Sequence, residues 1–171
     1  MEAKKCIEQV LENRGVVIMT SLDVKGAIDA AFWPNILHSL KELSCPRNLY
    51  NLRKGYFSHR IAVMPTNNVI IKRRVTKAHP QGSCLGPSFW NVHYNSLLNL
   101  ELTSHSKAIA FADDLMILTR GETVIEAENY MNLEVRNILE WAINNKLKFN
   151  ENKSKVMLTI CLAGEEGKRR R

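Results

Sequence analysis

Phe111-Ala112-Asp113-Asp114 lies inside an apolar run from Lys107 to Leu118. Two adjacent carboxylates interrupt what otherwise reads as two short buried strands. Burying carboxylates costs several kcal/mol unless each finds a partner. A divalent cation resolves the conflict, because hard cations such as Mg²⁺ take carboxylate oxygens. A solvated hairpin turn accounts for the same dipeptide, since Asp tolerates turn conformations. A third carboxylate bears on the choice. Asp23 stands at the exit of the β-branched run Val16-Val17-Ile18-Met19, which follows Arg14-Gly15 and reads as a buried strand. A strand end beside a hairpin tip would bring Asp23 to Asp113 and Asp114. Three carboxylates at one point can hold two Mg²⁺ ions, the arrangement used for in-line phosphoryl transfer.

The flanking elements must position these groups. Helical spacing of Ile7, Val10 and Leu11 predicts a helix over 3–13, with Gly15 as its stop. Trp33-Pro34 opens a second helix, with Ile36, Leu37, Leu40 and Leu43 as its apolar stripe. Pro46 restarts the chain into a short helix ending near Gly55. Arg60 to Met64 and Val69 to Val75 read as a hairpin around 65–68. A loop, 78–87, feeds a helix with Phe89, Val92, Ser96, Leu97 and Leu100 inward. Thr123 and Glu126 form a capping box, and Val124, Ala127, Met131, Val135, Ile138 and Ala142 give the next helix its stripe. A last strand runs from Val156 to Ile160. This order predicts an α+β fold, a mainly antiparallel sheet with helices packed on one face. The carboxylates would lie on the open face.

Composition sets bounds. The 171 residues, 45% hydrophobic, suffice for one domain with a core. The net charge of +7 suggests a polyanionic partner. Alternation along the Val69–Val75 strand and on to Thr76 puts Lys72, Arg74 and Thr76 on one face, a phosphate-facing row. A solvated edge strand blunted by charge gives the same pattern. The terminal Lys168-Arg169-Arg170-Arg171 reads as a frayed, disordered tail over 164–171. Four scattered cysteines, Cys6, Cys45, Cys84 and Cys161, argue against a zinc site and a disulfide scaffold, and suit a reducing compartment. The five histidines are isolated and read as ordinary surface or core residues. With no signal peptide and no apolar run of membrane-spanning length, the expected location is intracellular, nucleus or cytoplasm, with no membrane partner.

Four motifs, in order, resemble the palm of a reverse transcriptase. The likeness is to non-LTR (LINE-type) retrotransposon polymerases, most of all the arthropod clade that inserts into ribosomal DNA. Leu22-Asp23-Val24-Lys25-Gly26-Ala27-Ile28-Asp29 resembles the first catalytic-aspartate motif. Pro80-Gln81-Gly82-Ser83-Cys84-Leu85-Gly86-Pro87 and the residues after it resemble the Pro-Gln-Gly motif that opens the template-facing helix. Phe111-Ala112-Asp113-Asp114 resembles the aromatic-x-Asp-Asp hairpin. Leu147-Lys148-Phe149-Asn150-Glu151-Asn152-Lys153-Ser154 resembles the motif after the long helix. Asp-Asp alone is a weak signal; a Pro-Gln-Gly-Ser loop ahead of it, with Asp23 well upstream, is a strong one.

The resemblance implies a partial reverse transcriptase domain over 1–163, with a polymerase palm fold, belonging to a larger polyprotein. It implies an RNA-directed DNA polymerase taking an RNA template, a DNA primer and dNTPs. Asp23 and Asp113 would hold two Mg²⁺ ions, for which Mn²⁺ can substitute, with the Val24 carbonyl helping. Asp114 would support the primer-side metal, and Lys153 would act near the pyrophosphate as charge partner or proton donor. Gln81 and Gly82 would line the nucleotide–template pocket. Ile28 stands where the family usually has Phe or Tyr, whose ring blocks a 2′-hydroxyl. Ala78-His79 precedes Pro80 where relatives usually carry Gly-Cys. Fingers, thumb, Cys-rich and endonuclease segments are not recognised in this stretch. The alternative is a catalytically inactive remnant, or a domesticated nucleic-acid-binding or scaffold domain. A nucleotide cyclase is disfavoured by the Pro-Gln-Gly loop.

Overall fold

The computed structural model describes residues 7–8, 15–67, 69–79 and 82–160. The helix expected over 3–13 therefore lies outside the described residues except for Ile7 and Glu8, which are helical. The basic tail and the domain end near 163 lie outside them too. The chain forms two compact units. The first comprises residues 1–23, 100–141 and 149–171; the second comprises 24–99 and 142–148.

The first unit is built on a four-stranded sheet in the order β4-β5-β1-β6. Its strands are β1 (Val16–Asp23), β4 (Ser106–Phe111), β5 (Asp114–Gly121) and β6 (Lys155–Ile160). Every pairing is antiparallel. One face of the sheet carries the register pairs Val16–Gly121, Ile18–Thr119, Thr20–Ile117 and Leu22–Leu115. All eight residues are buried. The long helix Val124–Asn144 turns Ala127, Met131, Glu134 and Ile138 inward at spacings of four and three. A contact of 3.8 Å from Thr119 Oγ1 to Met131 Sδ places this helix on that same sheet face.

The helix begins as the sequence predicts. The Thr123 hydroxyl accepts the Glu126 amide at 3.2 Å, while the Glu126 carboxylate accepts the Glu122 amide at 2.8 Å. The Glu122 amide, with the Tyr130 hydroxyl adding to it, lowers the pKa of the Glu126 carboxyl from its ordinary value. β6 is an edge strand that the helix does not cover, so Val156, Met157, Leu158 and Ile160 stay exposed.

The second unit holds α1 (Ala27–Ala30), α2 (Trp33–Glu42), α3 (Arg47–Phe57), the hairpin β2 (Ile61–Pro65) and β3 (Ile70–Arg74), and α4 (Gly86–Leu98). The Val124–Asn144 helix follows these four in the chain as α5. Pro34 occupies the first turn of α2, where its missing N–H costs no helical bond. The inward face of α4 differs from the expected one. Phe89, Trp90, His93, Tyr94 and Leu97 are buried, whereas Val92, Ser96 and Leu100 are only half-buried. Aromatic volume decides this. Phe89 meets Phe57 at 4.8 Å between ring centres, Phe57 stacks on Trp33 at 5.1 Å, and Trp90 stacks on Tyr94 at 5.0 Å.

Candidate active site

The β1–β5 register decides where two of the carboxylates go. Asp23 is set directly opposite Asp114, the last pair of the ladder. Directly opposed residues hold their Cβ atoms about 5 Å apart on one face of the sheet. Side chains alternate between faces along a strand. Leu22 and Leu115, one step back, point to the α5 side, so Asp23 and Asp114 point to the other side; Val17 and Leu118 on that side are buried, so it is not open along its whole length as expected.

The hairpin turn supplies the third carboxylate. β4 ends at Phe111, paired with Asp114, which leaves Ala112 and Asp113 as a two-residue connection. Ala112 adopts φ of 55°. Such a conformation suits the twist of a tight hairpin and is usually met by Gly. Alanine there costs on the order of 1 kcal/mol. The solvated-turn reading thus fits Asp113, which belongs to the turn, while Asp114 belongs to the strand. Asp113 is half-buried, and Asp114 is exposed beside Phe111, which is 83% exposed.

Lys153 is brought to this end of the sheet by backbone bonds. The Asn150 amide donates to the Asp23 carbonyl at 2.8 Å. The Asn150 carbonyl in turn accepts the amides of Lys153 at 3.0 Å and Ser154 at 2.9 Å. The Ser154 hydroxyl also donates to it, at 2.9 Å. The turn before β6 is therefore tied to the backbone of Asp23. Lys153 Nζ lies 3.6 Å from Asp23 Oδ2, with the lysine side chain 68% exposed and the aspartate 19% exposed. An exposed, long ion pair adds little stability. Its consequence is a positive charge stationed at the carboxylate.

Among the described residues, no three His, Cys, Asp or Glu side chains gather into a group that could hold a metal ion. The structure brings Asp23, Asp114 and Lys153 together, with Asp113 adjacent in the chain. Carboxylates crowded without a cation repel one another. The donor set is nevertheless carboxylate oxygen throughout, which fits a hard divalent ion. Mg²⁺ is commonly held by one or two carboxylates plus substrate phosphates.

The second unit positions the other sequence-predicted residues. Val24, its first residue, is buried. Gly26 adopts φ of 59° as the N-cap of α1, and its carbonyl accepts the Asp29 and Ala30 amides. Ile28 on that short helix is 49% exposed. Its carbonyl accepts the His79 amide at 3.1 Å, the Ala31 carbonyl accepts the Ala78 amide at 3.0 Å, and Trp33 Nε1 donates to the Ala78 carbonyl at 2.7 Å. The chain leading to residue 80 is thereby pinned to α1 and the start of α2. Gly82 adopts φ of 79°, with no atom within 4 Å of where a Cβ would stand. Glycine is needed there for the backbone conformation and not for space. Gln81 and Pro80 lie outside the described residues. Lys72 and Arg74 share one hairpin face, opposite Val63 and Ile61, and are exposed.

Four supporting residues, Asn150, His79, His93 and Glu134, carry no role expected from the sequence. Asn150 fixes Asp23 through main-chain bonds that any residue type could make, so it left no signal. His79 is buried beside Phe89, and burial lowers its pKa. Burial and the nearby His79 push His93 down to about 4. Isolated histidines carry no pattern that marks burial. Glu134 did leave a signal, an acid on the apolar stripe of α5. It is fully buried, and its Oε1 accepts the Thr103 amide at 2.8 Å and the Thr103 hydroxyl at 2.7 Å.

Residues 1–169 match the family described as reverse transcriptase (RNA-dependent DNA polymerase). A putative 115 kDa protein in type-1 retrotransposable element R1DM of Drosophila melanogaster is 35% identical over 63% of this chain and 10% of its own length. The Pol polyprotein from type-1 retrotransposable element R1 of Bradysia coprophila is 31% identical over 78% of this chain and 13% of its own. The RNA-directed DNA polymerase from mobile element jockey of Drosophila melanogaster is 26% identical over 85% and 16%. The chain thus spans roughly a tenth to a sixth of these relatives. Apo telomerase from Candida tropicalis shares the fold with a TM-score of 0.70 at 12% identity, over 92% of this chain and 34% of that one. No helix among the described residues is long and apolar enough to cross a membrane. The chain belongs to the reverse transcriptase family, with the α+β palm fold of its polymerases and relatives among the R1 and jockey non-LTR retrotransposons.

Proposed function

We propose that this chain is the palm portion of an RNA-directed DNA polymerase, joining a primer 3′-oxygen to the α-phosphorus of a dNTP with release of pyrophosphate. The observation that carries the reading is the Asp23–Asp114 cross-strand pair beside the Ala112-Asp113 turn, with Lys153 at 3.6 Å from Asp23. Family membership supports a divalent ion as cofactor. Asp23, Asp113 and Asp114, with the Val24 carbonyl, are the groups that would hold Mg²⁺, or Mn²⁺ in its place. Once bound, the ions supply Lewis-acid stabilisation of the charge that develops at the reacting phosphate.

The chain's own residues do the rest. The β1–β5 ladder holds Asp23 and Asp114 in fixed register. Lys153 offers a positive charge and a proton at Nζ to the departing pyrophosphate oxygen. Gly82 and Gln81 would admit the nucleotide and template base, and Ile28 would meet the sugar. The RNA template, the DNA primer and the segments completing the parent polyprotein are the partners this reading requires. Its place of work is inside the cell, in nucleus or cytoplasm.

The test is primer extension on an RNA template with dNTPs and Mg²⁺ or Mn²⁺, beside Asp113→Asn. Extension that vanishes in the variant supports the reading. Absence of extension from the folded wild-type chain, even after the segments its relatives carry are added back, would favour an inactive remnant.

A further inference from the structure

Positive charge is unevenly divided along this chain. The second unit carries twelve Lys and Arg against two acids, Asp29 and Glu42, a net of +10. The first unit is left with −3, although the whole chain is +7. No Asp or Glu occurs between Glu42 and Glu101. In the middle of that acid-free stretch stands the β2–β3 hairpin.

Two features set this hairpin apart from an edge strand kept soluble by charge. First, every residue of both strands is exposed. Second, cations and aliphatics share a face. The register pairs Ile61 with Arg74, Val63 with Lys72 and Pro65 with Ile70, so these six side chains point the same way. Ile61, Val63 and Ile70 are each more than half exposed. A face needing only solvation would not display three large aliphatics between its cations. Lys72 and Arg74 form no salt bridge among the described residues, so their charge is uncompensated.

We propose that the Lys72–Arg74 face of the β2–β3 hairpin is a binding platform for unpaired, single-stranded nucleic acid. Lys72 and Arg74 take successive phosphates, and Ile61, Val63 and Ile70 take the exposed faces of unstacked bases. Charge complementarity selects a polyanion. The interleaved aliphatics favour a single strand over a duplex, whose bases are already stacked away from side chains. The assignment deepens the polymerase reading and rests on it for the choice of nucleic acid over an anionic membrane. It places a strand contact on a segment separate from the carboxylates.

The test is fluorescence anisotropy of the whole chain with a labelled single-stranded RNA, in EDTA and without dNTPs, across a salt series. Lys72→Glu with Arg74→Glu should weaken binding at least about tenfold and lower the salt slope by roughly one to one and a half. Arg73→Glu, on the opposite face, should cost markedly less. Ile61→Ser with Val63→Ser should weaken the single strand while leaving a duplex of equal length unchanged. Thermal melts of each variant check that the fold survives, which the exposure of these positions favours. Wild-type affinity in the Lys72/Arg74 variant would overturn the proposal. So would equal losses from the two faces, equal losses for strand and duplex, or tighter binding to phosphatidylserine–phosphatidylcholine vesicles than to RNA. Because the assay contains neither metal nor dNTP, a catalytically dead chain that still binds through this face leaves the inference standing. An active polymerase that binds elsewhere removes the inference alone.

Discussion

At the scale of single residues, the site is defined by charges placed against their own electrostatic interest. Asp23 and Asp114 are directly opposed across β1 and β5. Like charges in that relation destabilise a sheet by about 0.2–1 kcal/mol. Asp114→Asn should therefore raise the melting temperature of the metal-free chain at low salt, with the gain fading as salt is added. The same reasoning predicts that Mg²⁺ protects the wild-type chain from thermal unfolding. Asp113→Asn should lose most of that protection along with extension activity. A wild-type melting curve that ignores Mg²⁺ would count against the carboxylates as ligands. Ile28 yields a prediction about choice of substrate. It is half exposed on α1, with its carbonyl tied to the His79 amide, so its backbone is fixed while its side chain is free to meet a ligand. Ile28→Tyr puts a planar ring at this position and should raise the preference for dNTPs over rNTPs by about tenfold or more. Parallel extension assays with the two nucleotide sets measure it, and an unchanged ratio would place the sugar elsewhere.

At the scale of elements, two close packings hold the sheet and its long helix together. A Cβ on Gly121 would stand 2.7 Å from the Ala127 nitrogen and 3.0 Å from the Thr123 carbonyl oxygen. Both are backbone atoms at the start of α5, which cannot swing aside as a side chain can. Gly121→Ala should destabilise the fold by about 1–3 kcal/mol, read from urea unfolding. Glu134 anchors the segment before β4 through both polar groups of Thr103. Glu134→Ala leaves the half-buried Thr103 amide and hydroxyl without this acceptor and should cost about 1–3 kcal/mol, whereas Glu134→Gln retains an acceptor and should cost less. An alanine variant as stable as wild type would mean the Thr103 groups find other partners. These elements also mark how far the sequence is legible. Strand β1 shows as a β-branched apolar run, β4 and β5 as one apolar run broken at Asp113-Asp114, and the Thr123–Glu126 box announces α5, because such signals are local. α1 did not show, since four residues are too few for a period and Gly26 caps it without a side-chain bond. The inward face of α4 differs from its aliphatic spacing because Trp90 and Tyr94 claim buried volume there. The carboxylates were legible by type and order. Their register, and the bond from Asn150 that brings Lys153 to Asp23, arise from strand pairing between distant segments, which no local pattern records.

At the scale of the whole molecule, charge and burial combine into a dependence on pH. The second unit is strongly cationic at neutral pH and carries His79 and His93 as buried rings. Burial holds His93 at about 4, against 6.5 for an exposed histidine, and His79 is lowered by the same cause. Both are neutral in the folded chain at pH 7. The unfolded chain takes up protons at these positions as pH falls through 6.5, while the folded chain resists. Unfolding therefore binds protons between pH 6.5 and about 4, and stability falls with acidification across that window. For His93 alone the loss by pH 4 is on the order of 3 kcal/mol. Added positive charge on a unit already at +10 works in the same direction through self-repulsion. Urea midpoints between pH 7.5 and 5 sample the window largely above the carboxylate range, so the slope there reports the histidines. His93→Phe keeps an aromatic ring of similar size beside Trp90 and removes the titrating group. It should flatten most of that slope, even where repacking lowers the absolute midpoint. A slope unchanged in His93→Phe, and also in His79→Phe, would assign the acid sensitivity to the net charge and not to the buried rings.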